Sequence, residues 1–283
     1  MNIKQNRKAS FLIIFAVYII ASVSGIWLYN VLNYQLWLSL LVADVFATIV
    51  TFVFSVIFSN ASVYDPYWSV QPIVILFAFA TSVSLSASGV LVLCVVTLWG
   101  ARLTLNWAYT FGGLDFQDWR YTILKQKTGA FYPVVNFVGI HMVPTLVVYL
   151  CTLPAVYVMV YAPKLNLIAV MCLLVSCVAF TLQGVADIQM HKFRKSGKAG
   201  FIRDGLWHYS RHPNYLGEIL MWWGVGLCSV CLMPQNWFLL AGAIANNMLF
   251  LFVSVPLAEG RQSQKEGFAE YKQQTRKFFP VKK

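Results

Sequence analysis

Apolar residues run through the chain in long blocks that hold almost no ionisable residue, near 10–29, 36–58, 69–85, 87–108, 134–160, 165–186, 215–232 and 236–257. A helix needs about 20 such residues to cross roughly 30 Å of hydrocarbon, where every backbone N–H and C=O must find its partner inside the segment. The pattern predicts an all-α fold, a multipass transmembrane helical bundle of about 7–8 spans, with the third and seventh blocks the weakest. Polar loops join the blocks, and a basic amphipathic tail follows the last. The first block has a basic start, but it is about 19 residues long without an A-x-A cleavage site, so it reads as a retained helix.

Composition agrees: 59% of the 283 residues are hydrophobic, 11% are charged and mean hydropathy is +0.66, too apolar for a soluble globule. A net charge of +11 raises nucleic acid as a partner, and the placement of the cations argues against it. With eight helices and the N-terminus inside, 20 of the 21 Lys and Arg residues fall on one side and Lys164 alone on the other. That is the positive-inside asymmetry, so both termini are expected in the cytosol. The same rule serves the endoplasmic reticulum of a eukaryote and the inner membrane of a bacterium, and the terminal pair Lys282 and Lys283 resembles a retention signal only weakly. No folded basic module is present to hold nucleic acid. The six cysteines lie in apolar blocks as small hydrophobes, and the lone C-x-x-C at 228–231 has no second pair, so no metal site is expected.

Polar chemistry gathers at the block ends. The stretch Gly205-Leu-Trp-His-Tyr-Ser-Arg-His-Pro-Asn-Tyr-Leu-Gly-Glu218 puts Tyr209, Arg211, His212, Asn214, Tyr215 and Glu218 beside an apolar run. Pro213 suits a first helical position, leaving the N–H groups of Asn214 and Tyr215 to face an anion. Between the second and third blocks, Tyr64, Asp65, Tyr67 and Trp68 surround Pro66. Two readings are open there: an interfacial aromatic belt, or a substrate mouth in which a phenol or acid polarises a flat apolar molecule. Asp44 is costly at depth and so a functional candidate, although solvent contact near a helix end also accounts for it. Arg102 and Asn106 share a helix face, and the next loop adds Asp115, Asp118, Arg120 and Tyr121, acids for ribose hydroxyls and arginines for phosphates. His141 reads as a satisfied interior histidine. The sixth block is expected to leave the membrane as a helix through Asp187, His191, Lys192, Arg194 and Lys195. The tail reads as one helix over about 257–274 and an extended end at Phe279-Pro280. It either lies on anionic lipid or folds back over Arg211.

The run from Asp187 to Gly197, the Gly205–Glu218 motif, Trp222-Trp223-Gly224, and Glu259, Arg261, Tyr271, Thr275 and Phe279-Pro280 resemble the steroid 5-alpha-reductase superfamily, and within it the DUF1295 branch. Asp65-Pro-Tyr-Trp-Ser and Gln117-Asp-Trp-Arg-Tyr121 are similar to that branch too, so the likeness spans about 60–280. It suggests N-terminal helices over 1–60 and a reductase-like membrane domain over 61–283. The resemblance implies an enzyme that binds NADPH between its loops and reduces a carbon–carbon double bond of a lipid or sterol-like substrate. Asp187 and Arg194 match cofactor-contacting positions, and Asn214 and Glu218 match the superfamily's Asn-x-x-Gly-Glu run. Histidines and a tyrosine before the reductases' final helix are replaced here by Gly260-Arg-Gln-Ser-Gln264.

On this reading the catalytic candidates are Tyr64, Asp65, Tyr67 and Glu218, since a developing enolate oxygen gains most from preorganised donors. Cofactor-binding candidates are Arg102, Asn106, Asp118, Arg120, Asp187, Arg194, Lys195, Tyr209, Arg211, His212, Asn214 and Tyr215. The alternative is an S-adenosylmethionine-dependent methyltransferase acting on lipid or isoprenylcysteine carboxyl groups, because those enzymes share an Arg-His-Pro-x-Tyr-x-Gly run. The dense basic loops suit the more anionic NADPH.

Overall fold

A computed structural model describes residues 3–279. Pro280, expected in the extended end, and the Lys282–Lys283 pair lie outside the described residues. Helices α1 (Arg7–Val31), α2 (Leu36–Ile57), α3 (Tyr67–Ala80) and α4 (Ala87–Thr110) come first, followed by α5 (Trp119–Thr128), α6 (Tyr132–Val134) and α7 (Val143–Tyr161). Then follow α8 (Leu167–Lys195), α9 (Leu206–Tyr209), α10 (Pro213–Leu232), α11 (Ala241–Leu249), α12 (Val255–Gln262) and α13 (Phe268–Gln274). Among the described residues β-structure is limited to one isolated bridge, Ser210 with Arg276. Short polar side chains start the long helices by accepting a first-turn N–H: Asn6 from Ala9, Ser86 from Gly89 and Asn166 from Ala169.

Among the described residues seven helical stretches are long and apolar enough to cross a membrane, so the chain is a multipass helical bundle. The block at 69–85 departs from expectation. It forms only the 14-residue α3, about 21 Å at 1.5 Å per residue, and the chain from Thr81 to Ser86 completes the return. That return is required, because the end of α2 and the start of α3 sit on the face that carries Lys4 and the α4–α5 loop. Lys4 Nζ donates to Phe58 O at 2.7 Å, and Asn60 Nδ2 donates to Leu114 O at 2.7 Å. On the opposite face Ser88 Oγ donates to Pro163 O and Asn166 Nδ2 to Cys231 O. Among the described residues the chain therefore returns across the bundle after α3, and Lys4, the α2–α3 loop and the α4–α5 loop share one face.

Two widened, π-helical segments, Val135–Met142 and Phe250–Ser254, each run up to a proline, Pro144 and Pro256. A proline offers no N–H to the preceding turn, and widening that turn keeps the helix going. Pro133 falls in α6 and Pro154 inside α7. The tail forms two short helices, α12 and α13, where one was expected. The break falls before Gly267, whose φ of 75° is a left-handed conformation no helix continues through.

Helices α8 and α10 pack closest. A Cβ at Gly217 would lie 2.5 Å from Ala179 O, one at Gly224 would lie 2.1 Å from Ser176 Oγ, and Ser176 Oγ donates to Met221 O at 2.9 Å. In lipid, where apolar contact with a neighbour replaces apolar contact with a chain tail, such close approach is what holds helices together. Around this pair the core is apolar and aromatic, with Trp99 and Trp222 rings 4.7 Å apart.

Candidate functional site

The Gly205–Glu218 motif bends from α9 into α10 exactly once, at Ser210–His212, and the tail is laid along that bend. Arg211 is 7% exposed, and its Nε and Nη2 lie 2.9 and 2.8 Å from Glu259 Oε1 of α12. Its Nη1 donates to the carbonyls of Lys272 and Thr275. Glu259 also holds His212 Nε2 at 3.2 Å and Lys272 Nζ at 2.8 Å. The backbone N–H groups of Arg211 and His212 donate to Arg276 O and Lys277 O, and Tyr271 Oη donates to Trp207 O. The guanidinium expected to hold phosphate is thus fully engaged in pinning the tail, which does fold back over the motif. Burial lowers the His212 imidazole below its ordinary value against the pull of Glu259. His212 stacks on Tyr215 at 5.2 Å and 5° between ring planes, and Tyr215 packs on Phe250. Tyr209 is half exposed.

A second cluster lies between α4, α8 and α10. Arg102 Nη1 donates to Asp187 Oδ2 at 2.9 Å, and Asn214 Nδ2 reaches Asp187 Oδ1 at 3.5 Å. Asn106 Oδ1 meets His191 Nε2 at 2.7 Å. Four buried polar atoms here have no hydrogen-bond partner among the described residues: Arg102 Nε and Nη2, Asn214 Oδ1 and Gln183 Oε1. Glu218 is 1% exposed and accepts from Trp99 Nε1, Gln183 Nε2 and Trp222 Nε1, each at 2.9 Å. Three neutral donors around its carboxylate make it an anchor of the floor of this cluster. At the rim, Arg194 and Lys195 are exposed, Lys195 Nζ sits over the Tyr109 ring, and Arg194 and Arg261 act electrostatically on Lys265, holding it below its ordinary value after burial has done so. Arg261 lies 4.4 Å from the centre of the Trp119 ring.

The α2–α3 and α4–α5 loops lock together. Asp118 N donates to Ser62 Oγ, Ala61 N to Gln117 Oε1, and Tyr121 Oη to Asp65 Oδ1 at 2.7 Å, while Asp118 pairs with Arg120 at 2.8 Å. Burial pushes the Asp65 carboxyl up to about 6, against the pull of Arg120 and the Tyr121 hydroxyl. Arg120, Asp118 and Asp187 all act electrostatically on Tyr215, so these loops face the α8–α10 cluster.

Inward of the loops runs a buried polar chain of which sequence reasoning reached Tyr64, Tyr67 and Asp44 but not the residues that join them. Tyr64 Oη and Thr145 Oγ1 are 2.8 Å apart, Thr145 and Thr48 Oγ1 are 3.0 Å apart, and Thr48 donates to Tyr67 Oη at 3.4 Å. Tyr67 Oη donates to Asp44 Oδ1 at 3.1 Å and Gln71 Nε2 to Asp44 Oδ2 at 2.6 Å. Asp44 is 5% exposed, so solvent contact does not account for it; its partners sit 23 and 27 residues on. His141 is half of what was expected: Nδ1 donates to Asn136 O at 2.9 Å, while Nε2, fully buried against the Tyr64 ring, has no partner among the described residues.

The structure thus gathers Arg102, Asp187, Asn214 and Glu218 into one cluster, and sets Tyr64 and Tyr67 in the buried polar chain. Asp65, Asp118 and Arg120 share the loop junction, whereas Arg211 and His212 serve the tail. Gln183, Thr48 and Thr145 were not anticipated, and Glu259 was named only among the residues that carry the family resemblance, with no role. An apolar-block reading treats Gln and Thr as tolerated interruptions, and nothing local marks their partners.

A family model described as a protein of unknown function, DUF1295, matches residues 51–275. An uncharacterized protein of Schizosaccharomyces pombe is 25% identical over an alignment covering 58% of this chain, and the chain spans 56% of that relative's length. No solved structure matches the chain.

Proposed function

The chain belongs to the DUF1295 family, and from that premise we propose that it is a membrane-embedded, NADPH-dependent reductase of a carbon–carbon double bond in a lipid or steroid-like substrate. The observation that carries this reading is the set of unpaired buried atoms between α4, α8 and α10. Leaving a buried donor or acceptor unmade costs about 1–3 kcal/mol each, and a ligand that pairs them recovers it. Arg102 Nε and Nη2 offer donors, Asn214 Oδ1 and Gln183 Oε1 offer acceptors, and a carboxamide supplies the complement of both. Arg194, Arg261 and Lys265 at the rim, with Arg120 across from them, suit a group carrying several phosphates. The residues present therefore fit a nicotinamide dinucleotide. Such a cofactor supplies hydride when bound.

What the chain's own residues do follows from their places. Arg102 and Asn214, both bonded to Asp187, would hold the cofactor's amide end. Tyr67, backed by Asp44, and Tyr64, both buried, would offer O–H groups to a substrate oxygen. Asp65 holds the loop junction through Tyr121.

Thermal shift of the detergent-purified protein with NADPH, NADH and S-adenosylmethionine tests the reading. Expected is a melting temperature that rises with NADPH concentration and a rise that Arg102→Ala and Asn214→Ala abolish. The methyl donor belongs in the test because the Arg-His-Pro run common to both enzyme classes is used here to hold the tail. A rise with S-adenosylmethionine alone overturns the reductase reading.

A further inference from the structure

We propose that Thr48 and Thr145 relay a proton between Asp44 and Tyr64, which makes Tyr64 the delivering hydroxyl and the two threonines positioning residues. The inference deepens the reductase reading and rests on it. It stands on five consecutive hydrogen bonds, from Tyr64 through Thr145, Thr48 and Tyr67 to Asp44 and from Gln71 to the same carboxylate. Thr48 is fully buried and Thr145 is 1% exposed, so no solvent competes along the chain.

Counting protons shows why the chain conducts. A carboxylate only accepts, so the Tyr67 proton points at Asp44 Oδ1 and the Thr48 proton at Tyr67. Thr145 then donates to Thr48 and Tyr64 to Thr145, which aligns all four hydroxyl protons toward Asp44. The contacts Thr48–Thr145 and Thr145–Tyr64 admit either atom as donor as they stand, and Thr48, which donates to Tyr67, becomes the acceptor when Tyr67 takes up a proton from Asp44. With a proton on Asp44, each hydroxyl donates the other way and the Tyr64 proton is left pointing out of the chain. When hydride adds to the far carbon of an enone and negative charge develops on its oxygen, Tyr64 gives up its proton there. Thr145 refills Tyr64, Thr48 refills Thr145, Tyr67 refills Thr48 and Asp44 refills Tyr67. One O–H bond forms on substrate, one breaks at Asp44, and nothing is oxidised or reduced along the way.

Infrared difference spectroscopy of the purified protein tests the relay, with Asp44→Asn to identify the Asp44 carboxyl band. Thr145 does not touch Asp44, yet Thr145→Val, which keeps shape and removes the hydroxyl, is expected to shift that band, because hydrogen bonds in a chain polarise one another. Thr145→Ser should leave it in place, and Tyr64→Phe, breaking the far end, should shift it again. A band unmoved by both Thr145→Val and Tyr64→Phe overturns the relay, whatever the cofactor experiment shows. Failure to bind NADPH overturns the reductase reading and leaves the spectral result intact. With a substrate in turnover, Thr145→Val should lower kcat roughly 10²-fold at unchanged KM, with Thr145→Ser active; an unchanged kcat also overturns the relay.

Discussion

Arg211 and Glu259, 48 residues apart in the chain, form a buried ion pair at 2.8 Å that joins the start of α10 to the tail. Breaking such a pair from one side strands the other charge, which costs roughly 3–5 kcal/mol. Glu259→Gln and Arg211→Ala should each lower the melting temperature clearly, and limited proteolysis should then cut between Lys265 and Lys277. A tail that stays protected in both variants would show that the aromatic contacts of Phe201, Phe268 and Tyr271 hold it alone.

The same junction sets an acid limit. His212 has its folded value below the ordinary 6.5, so above that pH both states are neutral and nothing is gained or lost. As pH falls below 6.5 the unfolded chain binds the proton first, and the fold loses stability. Asp65 works the other way. Its folded value of about 6 lies above the ordinary 3.8, so the folded state binds the proton first and gains stability as pH falls from about 6 toward 3.8. Melting temperatures between pH 7.5 and 5 should fall less steeply in His212→Gln and more steeply in Asp65→Asn. Parallel curves for wild type and both variants would contradict the assignment.

The apolar blocks and the cationic sidedness were legible because lipid imposes them residue by residue: a span must be apolar along its length, and a cation must stay out of it. The helix start at Pro213 and the extension of α8 to Lys195 were local signals of the same kind. The third block read as one of the weakest, but the place where its helix stops, at Thr81 and short of the block's end at 85, was not legible. Nor were the partners of Asp44, Arg211 and Thr145, 23, 48 and 97 residues away from Tyr67, Glu259 and Thr48, because a side chain's role depends on which helix faces it. Arg211 shows the consequence: a cation in a basic motif reads as a phosphate ligand until its carboxylate is found.

Helices α8 and α10 should tolerate no added carbon at their contact. Gly224→Ala would press a Cβ to 2.1 Å from Ser176 Oγ and 2.6 Å from Cys172 O, and the second of these is backbone that cannot rotate away. Overpacking of this kind costs about 1–3 kcal/mol. Gly260→Ala, whose Cβ meets nothing within 4 Å, serves as the control and should melt like wild type.

Glu218 separates an anchoring role from a catalytic one. Its two oxygens take three N–H donors, so Glu218→Gln puts an amide N–H against an indole N–H and leaves at least one donor unpaired. The expected cost is about 1–3 kcal/mol, seen as a lower melting temperature and as changed emission from Trp99 and Trp222. Asn214→Ala removes an acceptor that already lacks a partner and a donor bonded at only 3.5 Å, so it should hardly move the melting temperature of the ligand-free protein. If the cluster holds a dinucleotide, the two variants therefore differ in kind. Asn214→Ala should lose the cofactor's stabilising effect while folding normally, and Glu218→Gln should fold less stably while its residual folded fraction still responds to NADPH. The reverse pattern would move the ligand contact from Asn214 down to the carboxylate.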